Sequence, residues 1–235
     1  MKRLRPLFPL LLLAGLGIAL FASGLLDHFR PEVLAREHDL LQQQVAQHPL
    51  LAPLILVGVI TLAISTGIPG GVVLIMAGGM LFGGWYGALL SSIGVTLGAL
   101  VLYGASRFAF GSHGEAGAPA LVERLRDGYL AHPLSYTFFL RLVPFFPFGA
   151  VTVALAWLRC PLWLFLLATA LAGSVMTTVE SLLGAGLAKN LTEGGHLDGS
   201  LFVDPWVLGP VLLMALLALL PVALKRWRNS PPPAP

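Results

Sequence analysis

Long apolar runs separated by short polar joints make up most of this chain. Four of the runs cover residues 7–26, 85–108, 162–188 and 206–224. Each is close to the roughly 20 residues that a helix needs to cross the hydrocarbon core of a bilayer. The pattern therefore predicts an all-α polytopic membrane protein.

A shorter apolar stretch precedes the second long run and is interrupted. Residues 50–66 are apolar, residues 66–71 read Thr-Gly-Ile-Pro-Gly-Gly, and residues 72–81 are apolar again. Proline and glycine break a helix, and the second limb, at about 15 Å, is too short to span. We predict a re-entrant hairpin that turns near the midplane at Pro69 and Gly70. Irregular backbone at that depth must be covered by protein or line a water-filled cavity.

The same arrangement occurs again later in the chain. Residues 134–143 and 148–157 are two short apolar limbs, and the sequence Pro-Phe-Phe-Pro breaks the helix between them. Each predicted hairpin is followed by one long apolar run. The order therefore predicts two copies of a hairpin-plus-helix unit, with Pro144 and Pro147 at the second tip.

Lys and Arg residues gather on one side of the predicted spans. With the N-terminus in the cytoplasm, ten of them fall on the cytoplasmic side: Lys2, Arg3, Arg5, Arg107, Arg124, Arg126, Arg159, Lys225, Arg226 and Arg228. Three fall outside: Arg30, Arg36 and Lys189. Since cytoplasmic loops carry the excess of Lys and Arg, both termini are predicted to be cytoplasmic. The two re-entrant hairpins then enter from opposite faces, and the two units form an inverted-topology repeat.

Arg141 is the basic residue predicted to lie deepest in the bilayer. Inverted repeats in transporters place the substrate site near the midplane, where broken helices meet. A charge at the bilayer centre costs roughly 2.5–3.5 kcal/mol on insertion scales, so it needs a partner or a function. A guanidinium offers a planar fork to a phosphate, which makes Arg141 a candidate substrate-binding residue. The alternatives are an Arg that caps hairpin carbonyls and a repeat kept only for packing.

Glu180 is the only carboxylate inside a predicted membrane segment. Its two interpretations are a proton carrier and a counter-ion that neutralises Arg141 in a buried pair.

Arg107 lies near the cytoplasmic end of its predicted helix, where its long stem can reach the interface, so we assign it to topology. Small residues at four-residue spacing indicate close helix packing, with room for a lipid tail as the alternative: Gly79, Gly83, Gly87, Gly94 and Gly98.

The segments outside the two units are predicted to be peripheral. Residues 31–47 fit either an amphipathic helix at the interface or a solvated connector, and residues 119–130 fit a short amphipathic helix on the cytoplasmic face. The chain thus divides into an N-terminal part (1–49), a membrane core (50–190), and a C-terminal span with a disordered proline-rich tail (191–235). The first run also fits a secretory signal, although it is longer than the usual apolar region of one.

Composition excludes most soluble classes of protein. Apolar residues make up 57% of the chain and charged residues 11%, against roughly a quarter charged in soluble domains. The formal charge of +3 comes from residues at the edges of apolar runs, so no nucleic-acid partner is expected. Cys160 is the only cysteine, and neither a metal-ligand cluster nor another cofactor is expected. Without a phosphate-cradling loop, a dinucleotide fingerprint or a Ser-His-Asp set, the sequence does not predict an enzyme.

Several motifs carry a family resemblance. They are Ile68-Pro69-Gly70, residues 77–83 (Ala-Gly-Gly-Met-Leu-Phe-Gly), Tyr103 with Arg107, and residues 139–148 (Phe-Leu-Arg-Leu-Val-Pro-Phe-Phe-Pro-Phe). Over residues 50–190 the chain resembles the VTT-domain family, also called SNARE-associated Golgi proteins, of the DedA superfamily. The Arg-x-x-Pro-x-x-Pro element is its most specific part. The resemblance implies two opposed re-entrant hairpins and the movement of phospholipids or of the undecaprenyl phosphate carrier across a membrane.

The chain also departs from the pattern of the family. Thr152 stands where an Asn is usual, Ala156 where a Gly is usual, and Met176 where a Pro is frequent. No Asp or Glu occurs between Asp39 and Glu115. A mechanism that uses acidic residues of the first hairpin therefore does not transfer to this chain.

Together these features predict a transporter or scramblase that moves a phospholipid or a polyprenyl-phosphate lipid, with proton coupling as an open part of the hypothesis. Its predicted place is the plasma (inner) membrane of a bacterium. The alternatives are a passive pathway for solutes or ions and a membrane-assembly factor that transports nothing. The sequence leaves the oligomeric state open.

The predicted orientation can be tested by cysteine accessibility. In a Cys160→Ser background, single cysteines replace His48, Ser112 or Gly195, and intact cells are treated with a membrane-impermeant thiol reagent. We expect labelling at positions 48 and 195 and none at position 112, because only the first two are predicted to lie outside. Labelling of position 112 in intact cells would contradict both the orientation and the opposed hairpins.

Overall fold

The computed structural model describes residues 7–24, 37–67, 70–111, 120–143 and 146–192, together with the single positions 33, 208, 209, 212 and 216. The regular secondary structure of this part of the chain is helical, which confirms the all-α prediction. In chain order the helices are α1 (Phe8–Ala22), α2 (His38–Gln47), α3 (Leu51–Ser65), α4 (Gly71–Phe82), α5 (Gly84–Gly111), α6 (Ala120–Ala131), α7 (Pro133–Leu142), α8 (Phe148–Trp157) and α9 (Leu162–Thr192). The predicted span at 206–224, the proline-rich tail and the predicted hairpin tips Pro69 and Pro144 lie outside the described residues.

Two long apolar helices, α5 with 28 residues and α9 with 31, form the centre of the fold. They run antiparallel, because Ser181 near the end of α9 donates to the Gly84 carbonyl at 2.9 Å, whereas Phe165 near its start stacks on Tyr103. The helices α2 and α3 bend by 110° where they join, and they add a third candidate span if they are counted together. Within the described residues, two long stretches are apolar enough to cross a membrane on their own: Gly84–Phe110 and Leu162–Asn190.

Helix α1 is shorter than its sequence predicts. It has 15 residues, or about 22 Å, against about 30 Å for the hydrocarbon core. It ends because Gly24 adopts a φ of +67°, a left-handed conformation that commonly closes a helix C-terminus. The predicted run of residues 7–26 is therefore helical only as far as Ala22; Ser23 and Gly24 form a turn, and residues 25 and 26 lie outside the described residues.

Both predicted amphipathic segments contain helices, α2 and α6. The Nε2 of Gln42 in α2 donates to the Leu81 carbonyl at 3.0 Å, so α2 contacts the end of α4. The 110° bend makes α2 cross the direction of α3. These two observations favour an interfacial helix over a solvated connector. In α6, Tyr129 is buried against the hydrophobic core.

Both predicted helix breaks occur where proline and glycine are concentrated. Helix α3 ends at Ser65 and α4 begins at Gly71. Helix α7 ends at Leu142 and α8 begins at Phe148. We call α3 with α4 the first helix pair, and α7 with α8 the second helix pair.

The first helix pair packs along the N-terminal two-thirds of α5. Ile60 lies against Gly94. Thr61 contacts the same glycine, since its Oγ1 donates to the Gly94 carbonyl at 3.3 Å. Further along, Gly67 in the break lies against Leu102. The chain of the first pair thus advances toward the C-terminus of α5 until it breaks beside residue 102.

The second helix pair packs against the other end of α5. Trp157 at the end of α8 stacks on Phe110, with ring centroids 4.0 Å apart. At the start of α8, a Cβ added to Gly149 would lie 3.0 Å from the Gly67 Cα. The two pairs therefore approach from opposite ends of α5, and the first break meets the first turn of α8.

Glycines bring several backbones into direct contact. A Cβ at Gly79 would overlap the Ser181 carbonyl oxygen of α9, and one at Gly87 would overlap the backbone of α4. Gly94 and Gly98 similarly lie against α3. Gly83 differs from these four, because its surroundings are open and its φ of +81° makes the turn between α4 and α5. The contacts agree with close packing at four of the five predicted positions.

Replacing Gly79 with Ala tests this packing, with Gly104→Ala as the matched control in α5. The methyl group at position 79 has no room beside Ser181, and such overpacking typically costs about 1–3 kcal/mol. At position 104 no atom beyond the adjacent residues and the helix's own backbone lies within 4 Å of the added Cβ, so the higher helix propensity of Ala leaves stability unchanged or raises it by up to about 1 kcal/mol.

The measurement is the thermal unfolding of the purified protein in detergent. We expect a lower unfolding temperature for Gly79→Ala alone. A similar fall for both variants would contradict the assignment of Gly79 to a backbone contact.

Candidate functional site

Arg141 lies on the buried face of α7, in its last turn, directly before the second helix break. Its side chain is only 6% exposed, and Thr137 and Leu140 are buried with it. The periodicity of α7 places Thr137 and Arg141, four residues apart, on one face. The sequence thus directs a permanently charged group into the protein, where desolvation is costly.

The guanidinium of Arg141 is only partly satisfied. Its Nη2 donates to the Thr152 Oγ1 at 3.1 Å. Its Cζ lies 4.2 Å from the ring centroid of Phe148 and 4.9 Å from that of Phe165, within the range of cation–π attraction. Its Nε and Nη1 are buried and have no hydrogen-bond partner in the described part of the chain. Since buried polar groups are normally paired, these two donors are suited to an anionic ligand.

Thr152 holds Arg141 in this position. Its Oγ1 accepts from Arg141 and donates to the Phe148 carbonyl at 2.9 Å, so it links the guanidinium to the first turn of α8. The sequence marked this residue only as a departure from a family pattern. A signal was present, because Thr152 and Phe148 are four residues apart on the limb that follows the break, and Phe148 closes the motif that contains Arg141.

The first helix break lies against the first turn of α8, close to this guanidinium. Gly67, with φ +71°, and Gly70, with φ +127°, shape the first break. Pro147 caps the N-terminus of α8, and its carbonyl accepts from Val151. Gly149, which touches Gly67, directly follows the ring that contacts Arg141. The sequence predicted roles for Gly70 and Pro147 but missed Gly67 and Gly149, whose contact depends on how the two pairs pack.

Glu180 lies in another part of the molecule. It shares a face of α9 with Thr177, whose Oγ1 is 2.6 Å from the Ser92 Oγ. Along α9 it is about 22 Å from Phe165, the ring beside Arg141. Its carboxylate is partly buried and forms no hydrogen bond or ion pair with the residues that the structure describes. The interpretation of Glu180 as the counter-ion of Arg141 is therefore not realised in this structure.

Arg107 joins two elements near the end of α5. Its Nη1 donates to the Ala156 carbonyl at 3.4 Å, which ties α5 to the last turn of α8. Nearby, the Tyr103 hydroxyl donates to the Cys160 carbonyl.

Among the described residues no three His, Cys, Asp or Glu side chains are grouped so that they could hold a metal ion.

Comparison with known proteins identifies a family for this region. The family model of the VTT domain matches residues 68–186. The match covers half of the chain and includes Arg141, Thr152, Gly149 and Glu180. Neither the curated proteins nor the solved structures contain a significant match to the chain.

A double-mutant cycle tests whether Thr152 supports Arg141. Thr152→Val removes the acceptor but keeps the volume, so it leaves a buried donor unpaired, at a cost of about 1–3 kcal/mol. Thr152→Ser keeps the hydroxyl and serves as the control. In an Arg141→Leu background the cost of Thr152→Val should be smaller, because the buried charge is gone.

The measurement is thermal unfolding of the four proteins of the cycle and of Thr152→Ser. Equal costs of Thr152→Val with and without Arg141 would mean that the two side chains are not coupled.

Proposed function

The chain belongs to the VTT-domain family, and on that premise we propose that it moves a phospholipid or a polyprenyl-phosphate lipid across a membrane, as a transporter or scramblase. The observation that carries the proposal is Arg141, a buried guanidinium with two donors unpaired among the described residues. It lies directly before the second helix break, near the contact between the first break and the start of α8. A planar fork of donors is well suited to bind the phosphate of such a lipid.

The proposal includes an inverted arrangement of the two helix pairs. We propose that both pairs re-enter the membrane, one from each face, with Arg141 near the midplane. The contacts of the first pair with Gly94 and Leu102, and of the second pair with Phe110, support opposed entry along α5. Opposed access to one central site is what alternating access requires.

The surface of the long helices supports a lipid substrate. Apolar side chains at four-residue spacing form an exposed stripe along α5: Leu89, Ile93, Leu97 and Val101. The walls next to Arg141 are the rings of Phe148 and Phe165. A passive pathway for solutes would instead need a polar lining throughout. We therefore propose that the headgroup binds at Arg141 while the acyl chains stay in contact with apolar surface.

Glu180 is proposed to couple transport to protons. It is a carboxylate within a candidate span and has no ion-pair partner in the described part of the chain. An intramembrane carboxylate of this kind is a common element of proton relays. We place the protein in the plasma (inner) membrane of a bacterium with both termini in the cytoplasm, and we propose no catalytic role for it.

The test is reconstitution of the purified full chain into vesicles with fluorescent phospholipid or polyprenyl phosphate, with and without a pH gradient. Arg141→Lys should lower the transport rate at least about tenfold, because a point charge loses the bidentate geometry worth about 1.4 kcal/mol or more. Glu180→Gln should keep the rate without a gradient and lose its acceleration by the gradient.

Arg36→Lys, which makes the same exchange outside the matched region, is the control and should transport like wild type. Protein in the vesicles is matched for amount and unfolding temperature. Wild-type rates for Arg141→Lys would refute phosphate binding at this site, and movement of no lipid by the wild-type chain would favour an assembly factor.

A further inference from the structure

A second site lies at the end of the molecule where α5 ends and α9 begins. A cavity of about 350 Å³ opens there between α5, α6 and the turn that joins α8 to α9. Three arginines line it, Arg107 from α5, Arg126 from α6 and Arg159 from the turn. The side chain of Arg141 is not part of the lining.

This cavity is separate from the site at Arg141. Helix α8 runs between the two sites, with Phe148 beside Arg141 at one end and Ala156 in the cavity wall at the other. Thr152, which bonds Arg141, lies one turn of α8 before Ala156, so the two sites are neighbours along this helix with different linings.

The charge of the cavity has one sign. No carboxylate is among its lining residues in the described part of the chain. Burial raises the pKa of the Tyr129 phenol, which also lines the cavity, so its hydroxyl is neutral and adds no negative charge. Grouping guanidinium groups from three elements in a partly enclosed space creates a positive potential that attracts anions.

The backbone at Arg159 is held in a conformation that normally belongs to glycine. Its φ is +56°, the only positive value at a non-glycine residue in the described part of the chain. The Cys160 N–H donates to the Leu155 carbonyl at 3.0 Å, which closes the end of α8 in the manner of a Schellman motif. Glycine is the usual residue at this position. An Arg here strains the backbone, but it places a charged side chain at the cavity.

The remaining walls are apolar and aromatic. Trp157 and Phe110 are stacked, with an interplanar angle of 23°, and both line the cavity. The indole Nε1 of Trp157 is buried and has no hydrogen-bond partner among the described residues. The cavity thus combines cationic donors, a spare neutral donor and apolar surface beside two candidate spans.

We infer that this cavity binds the phosphate headgroup of an anionic membrane lipid, with the first part of its acyl chains against Trp157 and Phe110. A soluble phosphate has the same charge but gains nothing from the aromatic walls. The binding does not depend on transport, so it can be present or absent whatever the outcome of the vesicle experiment.

The test uses the purified full chain in detergent and a phosphatidic acid with a photoreactive group in the upper acyl chain. Crosslinking is mapped by mass spectrometry, and its yield at residues 156–161 is followed against lipid concentration. Arg159→Gly should raise the concentration for half-maximal yield at least about tenfold, as expected for loss of one charge-assisted hydrogen bond. Because glycine suits the backbone at this position, the unfolding temperature should stay the same or rise.

Lys189→Gln, which removes a positive charge at the far end of α9, is the control and should crosslink like wild type. Unlabelled phosphatidic acid should compete, whereas phosphatidylcholine and inorganic phosphate at the same concentration should not. Three results would each overturn the inference: wild-type affinity in Arg159→Gly, competition by phosphatidylcholine as strong as by phosphatidic acid, or competition by inorganic phosphate as strong as by the lipid.

Discussion

A helix that stops within an apolar layer leaves backbone groups that must find partners, and the fold depends on how this chain meets that requirement. At the first break, side chains satisfy nearby carbonyls, since Ser65 donates to Leu62 at 2.8 Å and Thr66 donates to Ala63 at 2.7 Å. The second pair also covers the first break, because Gly67 and Gly149 in the first turn of α8 come into backbone contact. The two helix pairs therefore depend on each other to cover their backbone, and together they surround a small polar region.

The free-energy cost of burying Arg141 follows from that arrangement. Its desolvation is offset by one hydroxyl and two aromatic faces, an incomplete compensation that leaves two donors unpaired within the described residues. Replacing a buried charge by an apolar group often raises stability. This buried charge with spare donors is the basis on which we propose that Arg141 binds a ligand.

Much of the secondary structure could be predicted because its signals are local. Proline and glycine at 66–71 and 144–147 break helices through steric and hydrogen-bonding effects that need no tertiary partner. The early end of α1 was missed, since apolar residues continue past Gly24 and only the backbone conformation stops the helix. The contact between Gly67 and Gly149 could not be predicted from the sequence either, because it joins residues far apart in the chain. The sequence left open whether Glu180 pairs with Arg141, because it does not show that α7 packs at the start of α9, beside Phe165, about 22 Å along the helix from Glu180.

The same reasoning applies to the three arginines of the cavity. The Lys and Arg split put all of them on one predicted side, yet only the packing of α5, α6 and the α8–α9 turn brings them together. The left-handed backbone at Arg159 had no signal in the sequence, because glycine is the residue from which such a turn is usually inferred.

The glycine contacts have a consequence for the way in which this molecule can change shape. Helix α4 touches α9 through Gly79 and Ser181, and α9 touches α4 through Gly184 and Met76. Backbone contacts of this kind cannot adapt by changing rotamers, so α4 and α9 must move as one body. The second helix pair meets α5 through side chains, such as the stacked Phe110 and Trp157, and touches the first break through the backbone contact at Gly149. The two halves thus repeat the same order of elements but are joined differently, α4 to α9 by close backbone contacts and α8 to α5 by stacked rings.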